Sequence, residues 1–155
     1  SASGRRHGLC ASATRTISFG ATEKELVDRH HISCMVDATY IFFSRPGEQG
    51  SEVMRRGRRI LEKTGTPHEW LLAPQGAVTG YSPSEVLLVP SSPFRFRAGM
   101  AVNWTPSIGS ARSGDTVLLY ENGFEILTPT HQWPYVTISV KGFEVERPAI
   151  LILDI

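Results

Sequence analysis

The sequence predicts an α+β domain in which two helices pack on a curved, mainly antiparallel sheet. Helical periodicity is confined to about residues 23–65, and short strand-like runs separated by turn residues fill the chain after Pro67. Between two of those runs, Asn122-Gly123 is a strong type I′ hairpin signal.

The elements follow in order. Thr14-Arg15-Thr16-Ile17-Ser18 has strand composition and leads into Gly20. Thr22 with Glu25 three positions later reads as a capping box that opens a helix near Glu23. Arg45-Pro46-Gly47 stops that helix after Phe43, and its apolar C-terminal half predicts burial on several sides. A second helix runs from about Ser51 to Gly65, a suitable residue to follow a helix end. Its stripe of Val53, Met54, Gly57, Ile60 and Leu61 leaves Arg55, Arg56, Arg58 and Arg59 on the other face. Strands are expected at residues 70–73, 85–89, 100–104, 116–120, 124–127, 135–140 and 149–153.

The length of 155 residues suits a single domain over 1–155. With 41% hydrophobic and 20% charged residues it is an ordinary folded chain, and its net charge of +1 argues against nucleic-acid or anionic-membrane partners. The apolar run from Ile32 to Phe43 is broken by Asp37 and is too short to span a bilayer. No basic segment followed by an apolar core opens the chain, so no signal peptide is expected. Cys10 and Cys34 suit a reducing, cytoplasmic setting, with one disulfide as the alternative. The start, Ser-Ala-Ser-Gly, lacks methionine and reads as a cut edge or an artificial scar.

Chemical motifs are sparse. The run Met54-Arg-Arg-Gly-Arg-Arg59 could bind phosphate, but it also fits the solvated face of an amphipathic helix, the preferred reading. His7, His30, His31, His68 and His131 form no metal-ligand spacing, and the adjacent pair His30 and His31 points about 100° apart on a helix. Gly76-Ala-Val-Thr-Gly80 lacks the lysine and the helix of a phosphate loop, so its glycines are assigned to a tight turn or close backbone approach. No serine among Ser82, Ser84, Ser91 and Ser92 lies in a nucleophile motif. Cys34 is expected to be a buried, inert thiol, and Asp115 to cap a turn. Glu85 and His68 are the weak candidates for general acid–base work.

Ordered punctuation over residues 12–134 nevertheless resembles the creatinase, prolidase, aminopeptidase P and methionine aminopeptidase family, the pita-bread metallopeptidases. Thr14-Arg15-Thr16 with Gly20 is similar to the family's TRT strand, and Arg45-Pro46-Gly47 to its RPG turn between helices. Gly76 to Glu85 keeps the spacing of its GHGIGxxxHE segment. Gly99-Met100 with Pro106 resembles its GMxxxxEP segment, and Asp115-Thr116, Glu121-Asn122-Gly123 and Leu127-Thr128 its EDT-to-LT segment, followed by Trp133-Pro134.

The resemblance implies a pita-bread fold lacking its N-terminal side and two divalent metals (manganese, cobalt or zinc) held by two aspartates, a histidine and two glutamates. Carried over residue by residue, the second aspartate falls on Ser12, the histidine on Ala77, and the glutamates on Thr105 and Gly114. The first aspartate falls near Ser1 or Ala2, and the substrate-contacting histidine on Ser84. The carried-over positions therefore predict no metal and a pseudoenzyme. Its groove, lined by Ser12, Ala77, Tyr81, Ser84, Glu85, Trp104, Thr105 and Asp115, would bind a peptide, a protein or a small molecule. Metal-free relatives of this kind act as binding modules, one of them in a histone chaperone. The alternatives are an active aminopeptidase or prolidase-type hydrolase with an unrecognised site, and a structural or oligomerising domain. The missing N-terminal part, a partner chain or a second copy is expected to cover the exposed face.

Overall fold

The computed structural model describes residues 1–154. Its strands are β1 (Ala2–Arg6), β2 (Leu9–Ala13), β3 (Ile17–Phe19), β4 (Gly76–Thr79), β5 (Val86–Leu87), β6 (Ala101–Trp104), β7 (Ser107–Ile108), β8 (Ala111–Arg112), β9 (Asp115–Tyr120), β10 (Gly123–Ile126), β11 (Tyr135–Val140), β12 (Phe143–Pro148) and β13 (Leu151–Leu153). Two helices, α1 (Lys24–Phe43) and α2 (Gly50–Lys63), intervene between β3 and β4. The expected α+β architecture is what the chain adopts.

The central sheet has the order β10-β9-β6-β4-β5, antiparallel throughout. Cross-strand partners place their side chains on one face, and successive residues alternate between faces. Val78, Val102, Val117 and Ile126 form one such row on the helix-facing side. With Trp104 and Leu119 they pack against Val36, Tyr40 and Ile41 of α1 and Val53, Met54 and Leu61 of α2. Trp104 lies 4.4 Å from the Tyr40 ring and donates its indole N–H to Ser44 Oγ at 2.9 Å, so its one polar atom is satisfied in the core. A second cluster packs Cys34 and Ala38 of α1 on Ile138, Val140 and Val145 of the β11–β12 hairpin. α1 is thus sandwiched between the sheet with α2 and that hairpin, which is why its C-terminal half carries no polar stripe.

The second helix has the predicted stripe, but two of its arginines are not simply solvated. Arg56 lies over the Phe43 ring at 4.0 Å and Arg58 over Trp70 at 4.4 Å, so their guanidinium groups cover aromatic faces. Several local expectations need correction. Residues 70–73 are not a strand, because Glu69–Leu71 makes a 3-10 turn. Of the two uses expected for the glycines of residues 76–80, Gly76 serves the close backbone approach, since a Cβ there would collide with the Trp104 ring and the Asn103 carbonyl oxygen. The segment Gly76–Thr79 is the fully buried strand β4 and not a turn. α1 starts without a side-chain cap, and Thr22 Oγ1 is buried with no partner, so the capping box does not form. The strand expected at residues 14–18 is split, with Thr14 in an isolated bridge to Gly114 and β3 beginning only at Ile17. The β1–β2 hairpin and β12 were not anticipated, and β13 pairs in parallel with β3. Ile155, the end of the final apolar run, lies outside the described residues. Neither described helix is long and apolar enough to cross a membrane.

Gly57 of α2 packs directly on Tyr40 of α1: an added Cβ would collide with the Tyr40 ring, which is fully buried. Alanine normally favours a helix over glycine by about 1 kcal/mol. Overpacking a rigid core costs about 1–3 kcal/mol, so the clash wins. Gly57→Ala is expected to lower stability by about 1–2 kcal/mol in urea unfolding, and a gain would show that the two helices can separate freely.

Candidate functional site

Sheet register decides which candidate residues can meet. Leu87, Ala77, Asn103 and Thr116 form a row across β5, β4, β6 and β9 on the face opposite the helices. The next row holds Thr105, whose N–H donates to the Gln75 carbonyl at 2.8 Å, and Gly114. β2 lies against this face: the Ser12 N–H donates to Thr116 Oγ1 at 2.8 Å, and that hydroxyl donates to the Ser12 carbonyl at 2.9 Å. Ser12, Ala77, Thr105 and Gly114, drawn from four separated segments, therefore gather on one side of one sheet.

Their chemistry is neutral throughout. Ser12 Oγ is bonded to Ser3 Oγ at 2.8 Å, and Ala77 has no donor atom. A Cβ on Gly114 would sit 2.8 Å from both Thr105 Cγ2 and the Trp104 carbonyl oxygen, so the backbone leaves no room there for a side chain. Asn103, which sequence reading did not single out, centres the row, and its buried Oδ1 has no hydrogen-bond partner. Among the described residues no three His, Cys, Asp or Glu side chains gather as a ligand set. Four positive charges need carboxylates to offset them, so the side chains present here do not fit a pair of divalent cations.

Two of the predicted groove residues are elsewhere. Trp104 and Asp115 belong to the helix-facing rows, and both are almost fully buried. The pleat places them opposite Ala77 and Thr116, a consequence of strand alternation that motif spacing alone does not reveal. Tyr81 is 73% exposed, and its ring lies against Gly8 in the β1–β2 turn. Ser84 is exposed in the loop that follows β4. Glu85 accepts the Tyr81 N–H at 2.7 Å and lies over Gly80, so its carboxylate closes this loop. His68 precedes the 3-10 turn beside α2, and no hydrogen bond joins it to Glu85.

The charged chemistry sits beneath the sheet. Asp37 of α1 accepts the Ser113 hydroxyl at 2.6 Å and Arg147 Nε at 2.9 Å through Oδ2. Arg147, fully buried on β12, also donates to Asp115 Oδ2 at 2.6 Å. Asp115 Oδ1 receives Arg15 Nη2 at 2.8 Å and the Thr128 hydroxyl at 2.6 Å. Asp115 is thus the centre of an ion-pair chain and not a turn cap. Burial pushes the Asp37 carboxyl up to about 6, with the Arg147 guanidinium pulling it back down. Burial likewise pushes the Cys34 thiol up to about 12, the inert thiol the sequence predicts.

No family model matches the chain. It is similar to an uncharacterized peptidase of Staphylococcus epidermidis, 29% identical over 132 residues that cover 79% of this chain and 36% of that protein. Among solved structures it is similar to the Xaa-Pro dipeptidase from Bacillus anthracis, with a TM-score of 0.76 and 22% identity, covering 94% of this chain and 38% of that one. It is also similar to the N-terminal domain of the FACT complex subunit SPT16 from Cicer arietinum, with a TM-score of 0.71 and 15% identity, covering 82% and 34%. The fold is the pita-bread fold of prolidase-type peptidases, as the motif resemblance implies, and the domain is peptidase-like. The chain spans little more than a third of the length of these proteins.

Removing Arg147 would leave Asp37 and Asp115 facing each other in a dry interior. Arg147→Met is expected to cost about 3–5 kcal/mol in urea unfolding, the cost of an uncompensated buried charge. A second expectation concerns His30, whose buried ring has its pKa lowered from 6.5 by desolvation, with His31 acting in the same direction. A lowered folded-state pKa means the unfolded chain takes up the proton first, so this contribution is present above pH 6.5 and is lost on acidification. Asp37 works in the opposite sense, its contribution being lost as pH rises through about 6. His30→Gln leaves Asp37 in place, so the variant should lose less stability than the wild type as pH falls below 6.5. Equal pH dependence of the two melting temperatures would contradict a neutral buried His30.

Proposed function

We propose that this chain is part of a peptidase-like pita-bread domain that does not assemble a dinuclear metal centre and uses the emptied sheet face to bind an extended peptide. The observation that carries the reading is the convergence of Ser12, Ala77, Thr105 and Gly114 on one face without a single carboxylate or imidazole. The frame that would present metal ligands is kept, while the donors that would hold two cations are replaced by small or neutral groups.

A peptide is favoured as the occupant by the form of the face. β5 is an edge strand, so its outer side offers unpaired backbone donors and acceptors to an added strand. Leu87 and Tyr81 are exposed beside it, and Ala101, Asn103 and Leu118 are only half-buried along the same face. Asn103 Oδ1 lies buried beneath this face without an internal partner. The likeness to the SPT16 domain supports the idea that this fold is not confined to peptidases.

Isothermal titration of the protein with manganese or cobalt should give no saturable heat, and an Xaa-Pro dipeptide should remain uncleaved with either metal present. Two tight metal sites, or dipeptide hydrolysis abolished by chelator, would instead establish a working metallopeptidase.

A further inference from the structure

A cleft of about 870 Å³ lies on the other side of the sheet, between the end of α1, the β9–β10 turn and β12. Its apolar wall is built by Phe42, Phe124 and Phe143. Phe143 stands 5.7 Å from Phe42 and 6.2 Å from Phe124, the second contact edge-on, so the three rings form one continuous aromatic surface. Phe124 is paired with Leu119, which places it on the helix-facing side, away from the Ala77 face. Phe143 is 51% exposed, so the aromatic wall is open to solvent.

The rim is acidic. Glu121, Glu144 and Glu146 line the cleft with Arg45 as the single basic residue, and none of the three carboxylates is in an ion pair among the described residues. A chain of net charge +1 therefore concentrates uncompensated negative charge around an aromatic wall. Arg45 shows what that wall accepts: its guanidinium lies 4.5 Å above the Phe42 ring. An electron-rich ring face and nearby carboxylates both attract a cation, while the ring edges favour an apolar stem. Lysine and arginine side chains combine the two.

We infer that this cleft is a docking site for a basic segment of a partner protein, with a lysine or arginine side chain laid across Phe42, Phe124 and Phe143 beneath Glu121, Glu144 and Glu146. It is separate from the sheet face proposed to bind a peptide, and it takes its ligand by charge and aromatic contact, with no strand pairing.

The test uses the whole chain, ¹⁵N-labelled, titrated with a capped peptide of alternating lysine and leucine. Controls replace each lysine by norleucine or by glutamate. Binding should shift the backbone resonances of Phe124, Phe143 and Glu144, and should weaken tenfold or more with either control. Raising salt from about 0.05 M to about 0.5 M should weaken it to a similar extent. Phe143→Ala and the triple variant E121Q/E144Q/E146Q, all at exposed positions, should each lose tenfold or more while keeping the wild-type spectrum elsewhere. Binding of the glutamate peptide as tightly as the lysine one would overturn the inference, as would no binding at all. So would self-association in sedimentation that Phe143→Ala abolishes. Shifts confined to Ala77, Asn103 and Thr116 would also overturn it while supporting the sheet-face reading.

Discussion

The fold depends on a chain of charges buried beneath its sheet: Asp37 on α1, Arg147 on β12, Asp115 on β9 and Arg15 between β2 and β3. Each belongs to a different element, and the separations along the chain reach 110 residues. A buried ion must be paired and hydrogen-bonded to be tolerated, so each contact constrains where its element can lie. Arg15 extends the constraint to the loop after β10 through the Thr128 carbonyl and the Thr130 hydroxyl. The helix, the central sheet and the terminal hairpin are thereby locked in mutual register, although the apolar contacts between them are not directional.

This arrangement explains how a peptidase-like frame can stand without charged groups on the face covered by β2. The two sides of β9 do different work: Asp115 turns down into the ion-pair chain, while Thr116, the next residue, turns up and holds β2 through Ser12. Opposite-facing neighbours let the two sides of one strand carry different chemistry. In the lower network two aspartates, Asp37 and Asp115, are balanced by two arginines, Arg147 and Arg15.

The large features were legible because they rest on local chemistry. Helix stripes and the Arg45-Pro46-Gly47 stop act over a few residues, and the β9–β10 hairpin forms where expected. Its turn is not the type I′ turn on Asn122-Gly123, because Glu121 and Asn122 are the turn residues, Gly123 already pairs with Tyr120, and neither Asn122 nor Gly123 has a positive φ. What was not legible depends on pairing between distant segments. β4 was hidden because its glycines and small residues look like a turn until β6 lies beside it, where Trp104 packs against Gly76. Arg147 was hidden because a charged residue in a short terminal run reads as solvent-facing. Asp37 did carry a signal: a carboxylate inside the apolar run Ile32 to Phe43 must find a buried cation or lose its charge. The positions of Trp104 and Asp115 were misassigned for a simpler reason, since motif proximity says nothing about which face of a strand a residue occupies.

The central claim is that charge pairing below the sheet holds the layers together. A double-mutant cycle on Asp37 and Arg147, followed by urea unfolding in chelator, tests this most directly. The claim predicts cooperative unfolding of the wild-type chain without metal and a coupling energy of about 1–3 kcal/mol between the two side chains. Effects that add within about 0.5 kcal/mol, or a chain already unfolded in chelator, would contradict it.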